Sequence, residues 1–375
     1  MGYVAVKGGT RAIEESIKRL KYERLKKGKT VNPEVLESSM RCLIDQIMSE
    51  SSLYNEQLAS IAIKQAEGSP EEAVFLLRAY RSTLPRKHYS RTVESEEMSI
   101  ERRISASFKD IPGGQILGAS YDYTHRLIDF DLVNEDLNDI QKWLQEYACD
   151  EDGANIGNID NKGAAFPKVL DYLRKQGLIE ECERDDTPPD DITKKSIQFP
   201  TSRSERLQIL TRGQTGAVTS LGYAALRGYG AIHPTVGELR VGKLPIYIDD
   251  PFDETKDEND SYFIGEIKVT EVETLIPVSY EKKRGVKEIR FKTGYGICYG
   301  QNETKAIAMS ILDNCLEMKD PRYPTHDEEF VLYHIDSVES TGFISHLKLP
   351  HYVTFQSKLD SARKAKKEDM EDYGL

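Results

Sequence analysis

The sequence predicts an α+β protein, with an N-terminal helical region followed by a mixed helix and strand region holding a mainly antiparallel sheet. Three observations carry this. Apolar residues between 11 and 86 recur at helical spacing. Residues 236–248 and 262–293 are dense in Val, Ile, Tyr and Phe at short spacing. The two kinds of segment come in separate blocks, without the alternation that winds a parallel sheet. Four regions follow: helical 1–90, basic, loop-rich and helical 91–200, α+β 201–356 with a C-terminal His pair, and a charged helical tail 357–375.

Each element has a local cause. Asn32-Pro33 joins a capping side chain to a proline at a first helical position, and Leu36, Met40, Leu43, Ile44 and Ile47 then share one helix face. Leu58, Ile61, Ala62 and Ala66 make a second stripe, ended by Gly68. Ser69-Pro70-Glu71-Glu72 opens a third helix carrying Ala73, Val74, Leu77 and Tyr80. Short helices joined by tight turns predict a small bundle. Residues 87–133, rich in Arg, Lys, Gly and Tyr and carrying Pro112-Gly113-Gly114, read as an ordered, loop-rich region. Helical patterns resume at 135–149 and 165–177, and Thr187-Pro188-Pro189-Asp190-Asp191 marks a linker or surface loop. Arg203–Tyr229 reads as a helical segment whose small residues suit close packing. The acidic stretch Asp249–Asp260 reads as a solvated excursion, lacking the ligand spacing of a calcium loop. Beyond lie a helix at 303–316 capped by Asn302, a strand near 329–336, an extended region at 342–355 and the tail. No internal repeat is visible.

At 375 residues the chain can bury a core without disulfide or metal staples. Its 51 Lys and Arg against 63 Asp and Glu give a net charge of -12, which argues against broad nucleic-acid coating. No apolar run approaches the ~18 residues of a membrane span. The opening Met1–Gly9 lacks the pattern of a secretion signal, and Val6 stands where a myristoylation motif wants Ser or Thr. Five scattered cysteines form no CxxC pair. A cytoplasmic location is expected.

Several segments have candidate chemistry. Arg102, Arg103, Lys109, His125 and Arg126 flank Pro112-Gly113-Gly114-Gln115. Glycine backbones admit close approach of an anion and guanidinium forks match phosphate oxygens, so this reads as a polyphosphate site or as a solvated basic face. Arg78, Arg81 and Arg86 form a second basic cluster with the same two readings. Asp122, Asp129 and Asp131 lie near His125, a set that serves acid–base work or simply solvation. Gly294–Gly300 has the spacing GxGxxxG between a strand and a helix, which reads as a tight turn feeding the helix, or more weakly as a dinucleotide turn. Four of the seven histidines fall in the last 50 residues. In Ser345–His351, Pro350 breaks strand regularity and could turn His346 and His351 to one point; a lone His-x4-His reads as ordinary histidines or, more weakly, as two metal ligands, too few to close a tetrahedral site alone.

Together these segments resemble a known family. Tyr3–Gly9, Ala62–Ala66, Phe75–Arg86, Arg102–Ala106, Phe108–Gln115, Asp122–Leu127, Leu226–Gly230, His233–Arg240 and Gly342–Tyr352 are similar to the I subunit of the bacterial carbon–phosphorus lyase core complex. The resemblance covers nearly the whole chain. It implies G, H and J partner subunits, with two copies of the chain per complex. It implies that the adenine of ATP is displaced by an alkylphosphonate, giving a ribose 1-phosphonate 5-triphosphate. Alone, such a subunit is expected to act as a nucleosidase with water. It implies zinc or another divalent metal at His346 and His351, shared with the J partner. On this reading Arg102, Arg103 and Lys109 grip phosphates with Gly113, Gly114 and Gln115. His125 or Asp129 then supplies the acid or stabilises charge, and Arg126 holds the phosphonate. The alternatives are a non-catalytic scaffold contributing half of an interfacial metal site, a nucleic-acid-binding protein and an NAD enzyme.

Overall fold

Helix boundaries in the first third fall where capping side chains put them. In a computed structural model, residues 8–149, 166–179, 187–230, 232–250, 261–282, 286–349 and 351–372 are described. Helix α1 (Gly9–Leu25) buries none of its side chains. Helix α2 (Pro33–Ser39) begins as Asn32 accepts from the Glu34 N–H at 3.3 Å. The stripe predicted from Leu36 to Ile47 is broken at Met40, whose backbone leaves helical geometry, and α3 (Arg41–Ser51) starts anew. Helices α4 (Glu56–Gln65) and α5 (Pro70–Ser82) begin at Asn55 and Ser69, each accepting from a first-turn N–H. Ile44, Ile47, Met48, Ala59, Ile63, Val74 and Leu77 pack together, which is the small bundle expected. Ile61 and Tyr80 face solvent, because each lies just outside the buried arc of its helix.

Four antiparallel strands form one sheet in the order β1 (Ser99–Ile104), β2 (Thr235–Asp249), β3 (Ser261–Lys282), β4 (Val286–Tyr299). Strand β1 lies within the region 87–133 read as ordered and loop-rich, where no strand was expected. Its sequence, SIERRI, carries two adjacent arginines, and only burial against β2 makes it a strand. Helix α6 (Leu137–Cys149) matches expectation, whereas the helix predicted at 165–177 is, among the described residues, only α7 (Asp171–Lys175). The segment 203–229 splits at Gly213 into α8 (Arg203–Arg212) and α9 (Thr215–Ala224), followed by a π-helical turn at Ala225–Tyr229.

Helix α10 (Glu303–Met318) lies on β3 and β4. Glycines permit this approach: a Cβ at Gly294 would sit 2.0 Å from the Ser310 carbonyl, and one at Gly296 would sit 2.1 Å from that of Ala306. Residues 294–299 are therefore strand, and the turn expected there is confined to Gly300. Asn302 does not cap α10; it donates from Nδ2 to the Tyr299 carbonyl at 2.6 Å. Leu239, Val241, Val272, Met309 and Leu312 form the main core with Leu210 of α8.

The strand expected at 329–336 is helix α11 (Glu328–His334). Asp327 caps it, and Val331, Leu332 and Ile335 bury one helical face. The extended region expected at 342–355 is likewise α12 (Ser337–Ser345), a 3₁₀ turn at His346–Lys348 and α13 (Tyr352–Asp372). Asp336 starts α12 by accepting from the Val338 and Glu339 N–H groups. Pro350, Tyr3–Lys7 and residues 251–260 lie outside the described residues.

Candidate functional site

The arginines of β1 face inward. Arg102 is 1% exposed; it donates to Glu303 at 3.1 Å, to Asp122 at 2.6 Å and to the Leu117 carbonyl. Arg103 is fully buried; it donates to Glu238 at 2.6 Å and to the carbonyls of Pro112 at 2.5 Å and Pro167 at 2.9 Å. The expectation that both grip a phosphate meets guanidiniums already engaged, each by three acceptors of the chain itself. Gly113 and Gly114, both at positive φ, shape a turn held against Arg103, and a Cβ at Gly113 would strike the Phe166 ring. Gln115 braces that turn, donating to the Phe108 and Lys109 carbonyls. Lys109 is exposed.

His125, Arg126 and Asp129 lie on an exposed stretch beyond this turn. Arg126 has a left-handed φ of 55° and donates to the Tyr121 carbonyl at 3.1 Å. Asp129 accepts from the Asp131 N–H at 3.0 Å. The structure thus gathers Arg103, Gly113, Gly114 and Gln115, while leaving the proposed acid–base group outside that network.

His346 and His351 do converge. Their ring centroids lie 5.5 Å apart. His346 Nδ1 bonds the Phe343 carbonyl, and His351 Nδ1 bonds that of Leu349 at 2.6 Å. A carbonyl only accepts, so in the neutral rings Nδ1 carries the proton and both Nε2 atoms keep a lone pair for a metal. No third His, Cys, Asp or Glu joins them among the described residues. Phe343, Ile344, Leu347, Tyr352 and Val353 flank the pair in sequence and are exposed, and the Phe343 ring lies 5.1 Å from that of His346.

A cleft of about 1370 Å³ opens on the other basic cluster. Arg81 at the end of α5, Arg86 beyond it and Arg212 at the end of α8 wall it. Leu244, Ile267, Val269 and Ile297–Tyr299 of the sheet form its floor, and Thr187–Lys195 its far side. Arg78 lies behind, donating to the Glu50 and Arg212 carbonyls and, at 2.6 Å, to Asp336. Burial, then repulsion from Arg78 and Arg81, lowers the Arg212 guanidinium to about 10. Burial and the neighbouring Arg78 and Arg86 lower Arg81. Burial pushes the Tyr299 phenol up, although Arg86 and Arg81 pull against it. Lys305 is buried beneath the cleft, donating to the Thr211 carbonyl at 2.7 Å; desolvation lowers its pKa. Sequence reasoning picked out Arg78, Arg81 and Arg86 but missed Arg212, whose only signal is a basic residue before the helix-ending Gly213.

Relatives are similar along almost their whole lengths. The HtxH protein of Stutzerimonas stutzeri is 41% identical over 369 residues, covering 97% of this chain and 95% of that protein. The chain is also 39% identical over 379 residues to the alpha-D-ribose 1-methylphosphonate 5-triphosphate synthase subunit PhnI of Rhizobium meliloti (strain 1021), covering 98% of this chain and 95% of that one. To the protein of the same name from Escherichia coli (strain K12) it is 39% identical over 376 residues, covering 98% and 99%. The family described as bacterial phosphonate metabolism protein (PhnI) matches residues 2–369, and the chain belongs to that family.

Proposed function

We propose that this chain is the subunit of a carbon–phosphorus lyase core complex that exchanges the adenine of ATP for an alkylphosphonate. The observation that carries the reading is 39% identity, over nearly the full length of both chains, to two proteins named as subunits of a ribose 1-methylphosphonate 5-triphosphate synthase. In the reaction a phosphonate oxygen attacks the anomeric carbon. The C–N bond breaks through an oxocarbenium-like state, and adenine leaves with a proton. His125 or Asp129, exposed and close in sequence, supplies that proton or stabilises charge, and Arg126 holds the phosphonate. Water in place of the phosphonate gives the nucleosidase reaction. Arg103 acts here by fixing the Pro112–Gln115 turn, and Arg102 by tying the following Leu117–Asp122 segment to Glu303.

His346 and His351 fit half of a metal site, since their rings lie 5.5 Å apart with both Nε2 atoms unprotonated in the neutral form, and no third ligand joins them among the described residues. Zinc held there supplies a clamp between subunits or a Lewis acid, with the J partner completing its ligands. The exposed apolar side chains around the pair support a partner surface. G and H partners and two copies per complex complete the assembly, in a cytoplasmic setting. The test is to incubate the chain, alone and with its partners, with ATP with and without methylphosphonate. Free adenine in the first case, and a ribose phosphonate product in the second, are expected. The second reading, a scaffold contributing only the histidine pair and its apolar surround while other subunits do the chemistry, predicts no adenine from the chain alone and product only with the partners present.

A further inference from the structure

We propose that the cleft between Arg81, Arg86 and Arg212 binds the polyphosphate chain of a nucleoside triphosphate. The nucleotide's identity rests on the function proposed above; the site rests on the arginines. Elsewhere the chain neutralises its buried guanidiniums: Arg103 meets Glu238, and Arg206 meets Glu317 and Glu328. In the cleft, among the described residues, Asp191 alone faces three arginines, and it pairs with the exposed Arg86. No hydrogen bond or ion pair reaches the Arg212 guanidinium among the described residues, and its Nε is buried. Arg81 makes one long contact, to the Ser52 carbonyl at 3.4 Å. Arg86 has Asp191 at 3.3 Å and Thr193 at 3.5 Å.

Each guanidinium has five N–H donors in a fixed fork, so most donors facing this cleft lack an acceptor. Like charges drawn partly out of water repel one another, and an oxyanion entering among them ends that repulsion while accepting charge-assisted bonds. The three forks come from three segments: the last turn of α5, the strap after it and the last turn of α8. A chain of phosphoryl groups, with oxygens spread along it, meets all three. The rest of the space suits a nucleoside. Leu244, Val269 and Ile297 give an apolar floor. The Tyr89 ring at the rim, with Arg86 5.4 Å and Lys194 5.2 Å from its centroid, offers a stacking face. Asp191 is the built-in competitor. Thr193 holds its Oδ1, leaving Oδ2 towards Arg86, where an incoming phosphate would replace it.

The experiment is calorimetric titration of the full-length chain with inorganic tripolyphosphate and, in parallel, with ATP. Arg86→Gln and Arg212→Gln are each expected to weaken tripolyphosphate binding by ~10-fold or more, and Asp191→Asn to tighten it. The melting temperature of Arg212→Gln should hold or rise, since an unpaired desolvated charge is removed, which separates a ligand role from a structural one. Unchanged tripolyphosphate affinity in both arginine variants overturns the assignment, as does a wild-type chain that binds ATP but not tripolyphosphate. Adenine release from ATP, with both variants binding normally, removes this site and leaves the reaction standing. Tripolyphosphate binding lost in the variants, without adenine release under any condition, keeps the site and removes the reaction.

Discussion

Arg103 has three acceptors around a buried guanidinium, while Arg212 has none among the described residues. The contrast predicts opposite responses to substitution. Arg103→Met leaves the Glu238 carboxylate buried without its closest cation, and a loss of about 3–5 kcal/mol is expected in urea unfolding. Arg212→Gln is expected to lose nothing in the same measurement. The histidine pair makes a third prediction at this scale. Replacing His346 and His351 by Ala should strip the metal from the purified complex by elemental analysis; unchanged metal content would remove them as ligands.

At the scale of elements, the contact between α10 and β4 depends on two missing side chains. Gly296→Ala places a Cβ within 2.1 Å of the Ala306 carbonyl, so the helix must lift from the sheet. A loss of about 3 kcal/mol is expected in thermal or chemical unfolding, with weakened packing around Met309 and Leu312. The glycines that suggest a phosphate turn are, in this fold, the means by which a helix reaches a strand. Helix α12 hangs on Asp336, which caps it and pairs with Arg78 at 2.6 Å. Asp336→Ala removes both, and frees Arg78 beside an already repulsive cluster. It should cost about 2–4 kcal/mol, more than Asp336→Asn, which keeps the cap.

For the whole molecule, pH is the relevant lever. Burial would raise the Asp336 and Glu271 carboxyls, but Arg78 on the one, and Lys168 with Arg240 on the other, hold them below their ordinary 3.8 and 4.5. Asp191 is likewise low, as Thr193 and Arg86 outweigh its desolvation. Folded values below unfolded ones mean that this stability is complete above about pH 5 and is lost as pH falls through the folded values. Asp45 runs the other way: burial raises it, so its protonation on acidification favours the folded state and offsets part of the loss. Urea midpoints should therefore fall steeply below about pH 4, and Asp336→Asn should flatten that slope.

Helices α2, α4 and α5 could be read from the chain because their cause is local: Asn32, Asn55 and Ser69 each cap the turn that follows them. The nearness of the two late histidines was also legible from their five-residue spacing, although a 3₁₀ turn and the start of a helix, where a broken strand was expected, set it. Strand β1 and helix α11 were not. SIERRI is a strand only because β2 pairs with it and Glu238 neutralises Arg103, and the apolar run at 331–335 fits either period until Asp327 and the core select the helix. The cleft belongs to the same class. Arg81 and Arg86 stand together in the sequence, yet Arg212 lies more than a hundred residues away, and only packing α8 against α3 and the sheet brings its charge to theirs. The sequence by itself determined what neighbouring residues settle, namely caps, helix faces and family. Tertiary structure decided which charges are neutralised and which stay unpaired, because pairing depends on distances between residues far apart along the chain.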